Sequence, residues 1–227
     1  MYFIRTFLFL LGFLYCNTAW SQENLTGFFQ PKISVNSKVT KLYALNFSLA
    51  QRNFIYNDSD IQFKTRQLDL VHFSKLKIKD NQSIALGIQY RFRELFESNS
   101  LNELRLSQQF NTTNKTRVNR YGHRLRSEQR ITSEATIHRF RYRFTLDFPL
   151  QGQQLDIGEA YFIGNTESLL SISKNTTPEY DQRFTVQIGW LLPNTSKIQT
   201  GLQYRFENYT QKTEHIFLLS TSFIFSL

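Results

Sequence analysis

The chain has 227 residues, room for one domain with a sizeable core, and carries a formal charge of +9 together with 22 Phe, 11 Tyr, four Pro and one Cys. A negative mean hydropathy beside so many aromatics argues against a helical membrane protein and suits strands with one apolar and one wet face, which cancel in a running average. The lone Cys excludes a disulfide framework, and the basic balance points to anionic partners.

Residues 1–21 differ from everything after them. Arg5 precedes an apolar run from Thr6 to Tyr15, and Ala19-Trp20-Ser21 is a small-x-small pattern that allows cleavage before Gln22. This predicts a secretory signal peptide over 1–21 and one domain over 22–227. The apolar run is too short for a helical span of about 20 residues, and bulky Tyr15 before Cys16 departs from lipoprotein processing. Cleavage after Ser21 removes the only Cys, and export makes nucleic acid an unlikely partner.

From there the signal is a period of two, which sends alternate side chains to opposite faces of a β-strand. It is weak over 25–35 and clear over 42–56, where Tyr43, Leu45, Phe47 and Leu49 share a face. Over 61–78 it runs in two phases: Leu68 and Leu70 have one parity, Val71 and Phe73 the other, which predicts a bulge near Leu70 to His72. Ribbons follow over 84–93, 101–110, 117–131 and 138–148. In the last of these Phe140, Tyr142, Phe144, Leu146 and Phe148 alternate strictly with Arg139, Arg141, Arg143, Thr145 and Asp147. A ribbon of unassigned facing covers 155–163. The stretch 164–179, rich in Ser, Asn and Thr, reads as an exposed loop. Ribbons over 183–192 and 198–207 and a last one ending at Leu227 complete the chain. Gly-(Ile/Leu)-Gln-Tyr-Arg-Phe occurs twice, at Gly87 to Phe92 and Gly201 to Phe206.

About eleven ribbons of this kind predict an all-β fold, a transmembrane antiparallel β-barrel. Strands of 9 to 11 residues cross a bilayer at a tilt, and only a closed sheet leaves no unpaired backbone in hydrocarbon. The even strand count of bacterial single-chain barrels makes ten or twelve the expectation. The competing reading is a soluble sandwich or lipocalin-like barrel. Long rows of Phe, Tyr and Leu opposite a face too charged for a dry core favour the membrane. The compartment expected is the outer membrane of a Gram-negative bacterium. The partners expected are outer-membrane lipid and the barrel-assembly machinery, with the barrel a monomer.

Arginine is concentrated. Between Arg91 and Arg143 lie eleven of the sixteen Arg and one Lys. Strand parity sends Arg91, Arg93, Arg105, Arg124, Arg126, Arg130, Arg139, Arg141 and Arg143 to the polar face, the lumen of such a barrel. Glu103, Glu128 and Asp147 share it, and Glu159 and Glu207 are further candidates; guanidinium and carboxylate pair bidentately, as Lys does not. One reading is a ladder of Arg/Glu pairs that fills the barrel and is purely structural. The other is a basic lumen that binds or passes a small anionic solute, since the cations outnumber the acids. A third, a lipid-modifying hydrolase, needs Ser and His together on the outward face. His72 near Ser74 is the nearest approach, and the His-x-Ser-Asn-Gly motif of barrel phospholipases is missing. No spacing suggests a metal or cofactor, and no catalytic residue is assigned.

His123-Arg-Leu-Arg-Ser-Glu-Gln-Arg130, Arg139-Phe-Arg-Tyr-Arg143, Glu159-Ala-Tyr-Phe162 and Tyr180-Asp-Gln-Arg183 occur in that order. With these motifs the mature chain resembles an outer-membrane protein family common in Bacteroidota and known only as domain of unknown function 2490. The resemblance implies a small outer-membrane barrel and adds Arg183 to the Arg cluster, with Glu159 and Asp181 as further acidic partners. It implies no reaction or ligand.

Overall fold

The computed structural model describes residues 25–57, 59–174 and 176–227; the leader predicted over 1–21 lies outside them. One sheet contains β1 (Leu25–Lys38), β2 (Tyr43–Asn57), β3 (Asp60–Ile61), β4 (Thr65–Lys79), β5 (Gln82–Phe92), β6 (Glu103–Lys115), β7 (Arg120–Ile131), β8 (Thr136–Pro149), β9 (Ala160–Ser173), β10 (Glu179–Leu191), β11 (Lys197–Glu207) and β12 (Glu214–Ser226). β3 is a spur on the end of β2. The other strands form a ring in which each is antiparallel to the next along the chain, closed where β1 runs parallel to β12 from Leu25↔His215 to Asn36↔Ser226. The fold is an all-β barrel, as the alternation predicts.

The expectation of ten or twelve strands holds for the sheet, which has twelve, and is corrected for the barrel, which has eleven. An even count assumes that the closing pair is antiparallel; a parallel closure requires an odd one. We call the end at which β1 begins the near mouth and the end at which it finishes the far mouth.

Charge lies inside and hydrocarbon outside. Glu103, Glu128, Glu167 and Asp181 are all at most 3 % exposed, whereas Leu86, Phe47, Phe140 and Val186 on the outer face are each more than half exposed. The one buried apolar cluster among the described residues, Phe28, Phe54, Ile216 and Leu218, sits in the near half against β1, β2 and β12.

Two local expectations are corrected. The register between β2 and β4 is unbroken from Tyr43↔Leu76 to Arg52↔Gln67, so no bulge lies near Leu70 to His72; the irregularity falls at Arg52/Asn53. The parity slip arises because Val71 and Phe73 face the lumen. The Phe73 ring lies across Gly87, its register partner on β5, so close that an added Cβ there would stand 2.2 Å from it. The predicted loop over 164–179 is mostly β9. The middle of its outward face is polar, with Ser168 donating to Gln182 (2.6 Å) and Gln182 donating to Thr166 (2.6 Å). Its inward face holds Ile163 and Leu169 beside Asn165 and Glu167, so neither face is uniformly apolar and the period is hidden. The long connections are instead 93–102, at the near mouth, and 150–159, at the far mouth.

Candidate functional site

The inward positions of the strands converge on a lumen that encloses a cavity of about 650 Å³. Thirteen Arg and two Lys line it, against the carboxylates of Asp69, Glu167 and Glu207. Strand alternation explains the convergence. Arg124, Arg126, Glu128 and Arg130 on β7 and Arg139, Arg141 and Arg143 on β8 occupy every second position, and the registers Arg126↔Arg141 and Glu128↔Arg139 set the two rows side by side.

The acids join these rows into one network across five strands. Glu128 Oε1 accepts from Arg126 Nη1 (3.1 Å) and Arg141 Nη1 (2.7 Å). Arg141 Nη2 donates on to Glu167 Oε2 (2.7 Å), and Arg143 Nε donates to Glu167 Oε1 (3.0 Å). Arg183 Nη2 then reaches Glu207 (3.0 Å) and Asp181 (3.4 Å), with Arg205 also on Glu207. Two smaller units stand beside it. Glu103 holds Arg105 and Arg130, the latter at 2.7 Å. Arg91 grips Asp69 with two parallel bonds, Nε to Oδ1 at 2.7 Å and Nη2 to Oδ2 at 2.8 Å, the fork geometry that Lys cannot reproduce.

All of these carboxylates lie in the near half or at mid-height. The near mouth is filled as well: the Arg66 guanidinium stands over the rings of Phe28 (5.0 Å) and Phe54 (5.4 Å) and faces Glu97 of the connection 93–102 at 3.8 Å. The far half is different. Its one inward acid, Asp147, is bound to Arg120 at the strand end (2.9 Å). Lys32 and Lys75 have no ion-pair or hydrogen-bond partner among the described residues, and Arg124 is held by the neutral Asn111 (2.9 Å). Arg52 and Arg93 likewise rest on amides, those of Gln30 and Gln67.

Every Arg predicted for the lumen lines the cavity, Arg183 included. Of the predicted acids, Glu103, Glu128 and Asp181 meet the cluster. Asp147 is inward but belongs to Arg120, outside it. Glu159 is corrected: it sits in the far connection and accepts from the backbone N–H of Asp156 (3.0 Å), because the inward parity of β9 begins only at Tyr161. Two acids have no place in the sequence reading: Glu167, hidden in the mixed face of β9, and Asp69, which a bare count of parity between Leu68 and Leu70 finds. That reading also left Lys32, Arg52 and Lys75 on earlier strands unconsidered.

On the outer face His72 Nε2 meets Ser74 Oγ at 3.1 Å, and Tyr43 donates to the same oxygen (3.1 Å). His72 Nδ1 is buried without a partner, so no third group orients the ring as a triad requires.

The profile of the family described as "Protein of unknown function (DUF2490)" matches residues 17–215. The chain belongs to this family. The DUF2490 match covers the barrel from before β1 to the first residues of β12, and so includes the whole charged network. No curated protein matches the chain, and no solved structure does.

Proposed function

We propose that this DUF2490 protein is an outer-membrane barrel whose basic lumen binds small anionic solutes. The membrane reading is supported by the inverted distribution of side chains. Soluble monomers rarely expose apolar patches beyond a few hundred Å², whereas here apolar side chains line the outer face of successive strands, from Ile33 and Phe47 through Ile84 and Phe140 to Val186 and Phe217. Aromatic groups gather towards both ends of that face, Tyr204 with Phe206 and Phe217 near one mouth and Phe148 with Phe162 near the other, as in interfacial girdles. Quenching of Trp190, outward on β10, by bromine-labelled lipid tests it: strong quenching is expected, and none would overturn the membrane reading.

The observation that carries the anion reading is the excess of cations around a cavity of a size typical for small-ligand sites. Even with Glu103, Glu128 and Asp181 counted beside the three lining carboxylates, cations outnumber acids by more than two to one. Like charges in a confined space repel, by about 2 kcal/mol per pair at 8 Å and an effective dielectric constant near 20, and a bound anion relieves several such terms together. Titration of the folded barrel with inorganic phosphate should show binding at low ionic strength that fades as salt is added. No phosphate binding at any ionic strength would leave the lumen a structural ion-pair ladder.

A further inference from the structure

We infer that the anion seat is the far half of the lumen, approached from the far mouth, and that its ligand is a monosaccharide carrying a phosphate or carboxylate. The inference rests on the anion-binding reading above and adds a place and a ligand class to it.

The place follows from which cations are available. Most near-half guanidiniums are committed to carboxylates and largely buried, with Arg91, Arg105, Arg139 and Arg183 all at most 8 % exposed. The two that are not so committed, Arg52 and Arg93, are each held by both Nε and Nη2 on one amide oxygen, that of Gln30 or Gln67. Lys32, Lys75 and Arg124 have no ion pair with a carboxylate among the described residues and come from three separated strands, and both lysines stand near Arg124. Lys32 stands in the field of Arg124, Arg126 and Arg143, and Lys75 in that of Arg124. Small lumen-facing residues leave the room: Ser83 and Ala85 on β5, Gly122 on β7 and Ser222 on β12. Inward from there the same cavity is lined by Arg126 and Arg141 and then by Ile216 and Leu218 of the Phe28 cluster.

The ligand class follows from the neutral groups beside those cations. Lys32, Ser222 and Gln199 occupy one register row across β1, β12 and β11. Gln199 spends one amide N–H on Tyr161 Oη (2.8 Å), Gln187 one on Ser220 Oγ (3.1 Å) and Asn46 one on Asn36 Oδ1 (2.7 Å). Each keeps its second N–H and its carbonyl oxygen for the cavity, a donor and an acceptor side by side. An anion's oxygens cannot satisfy acceptors; hydroxyl groups can. Asn165 has no partner among the described residues and adds a donor and an acceptor on β9. A seat with converging cations on one side and a row of amides on the other fits a molecule with one charged group and several hydroxyls.

Calorimetry on the folded barrel with four probes tests this: glucose 6-phosphate, glucuronate, inorganic phosphate and glucose. Glucose 6-phosphate and glucuronate are expected to bind at least about tenfold more tightly than phosphate, since each satisfied acceptor adds of the order of 1 kcal/mol, and glucose is expected not to bind. K32Q/K75Q should weaken glucose 6-phosphate by about tenfold or more. Lys64→Gln, on the exposed near connection, should leave it unchanged, and the heat-shifted gel mobility of folded barrels reports that each variant is folded. Phosphate binding as tightly as glucose 6-phosphate, or binding indifferent to K32Q/K75Q, would overturn the inference while leaving the anion reading standing. Failure of all the anions to bind would overturn both.

Discussion

Both halves of the lumen carry positive charge, most of it in the near half, and they do opposite things with it. In the near half each cluster of guanidiniums has a carboxylate between its members, and Glu167 alone touches Arg141 and Arg143 with Arg183 at 3.9 Å. In the far half the cations are spread over β1, β4 and β7 with amides between them. The difference teaches that the number of arginines does not decide whether a basic lumen is a staple or a seat. The placement of a few acids does. Fully satisfied, buried charges rigidify a wall; left without counter-charge in a roomy cavity, they await one.

The sharpest way to break the comparison is to remove an acid from the near half. Glu167→Gln leaves the buried Arg141 with Glu128 alone and Arg143 with no carboxylate among the described residues, and a loss of about 3 kcal/mol or more is expected in urea unfolding from lipid vesicles. Asp69→Asn should cost about 3 kcal/mol and no more in the same measurement, because Arg91 is its only guanidinium partner. A steric change in the far half is expected to be milder. Gly189→Ala would put a Cβ 2.4 Å from the Tyr161 ring, which is pinned through its hydroxyl to Gln199, and about 1–3 kcal/mol of overpacking is expected. Smallest of all should be Lys75→Gln, within about 0.5 kcal/mol of the parent or slightly stabilising, since it relieves repulsion without leaving an acid alone. If Lys75→Gln destabilised as much as Glu167→Gln, the far half would be a staple too and the contrast would collapse.

How much of this was legible in the sequence depended on how pure each strand face is. β8 is readable to the residue over Arg139 to Phe148 because there its outward face is wholly apolar or aromatic and its inward face wholly polar. β9 is not, because Ile163 and Leu169 face inwards while Thr166 and Ser168 face outwards, tied to Gln182; period-two logic fails when cross-strand hydrogen bonds make an outer face polar. β4 failed for the mirror reason, with Val71 and Phe73 inside. The Arg rows of β7 and β8 were found, yet their central acid, Glu167, lay in the strand that composition concealed. The far seat was missed because it has no local signature: Lys32, Lys75 and Arg124 lie on strands brought together only by ring closure. Strand count was legible as eleven ribbons and was lost only by assuming an antiparallel closure.

That closure separates the two ends of the barrel. Every other neighbouring pair of strands is joined by a short connection, whereas β1 meets β12 with nearly the whole chain between them, and bringing such distant segments together costs roughly 5 kcal/mol of chain entropy. The seam is therefore the step at which an otherwise sequential set of hairpins becomes a cylinder. Because its two strands point the same way, the start of β1 and the end of β12 leave by opposite mouths. A label before Leu25 and another after Ser226 would stand on opposite sides of any bilayer the barrel crosses, and a protease added to one side would release only one of them.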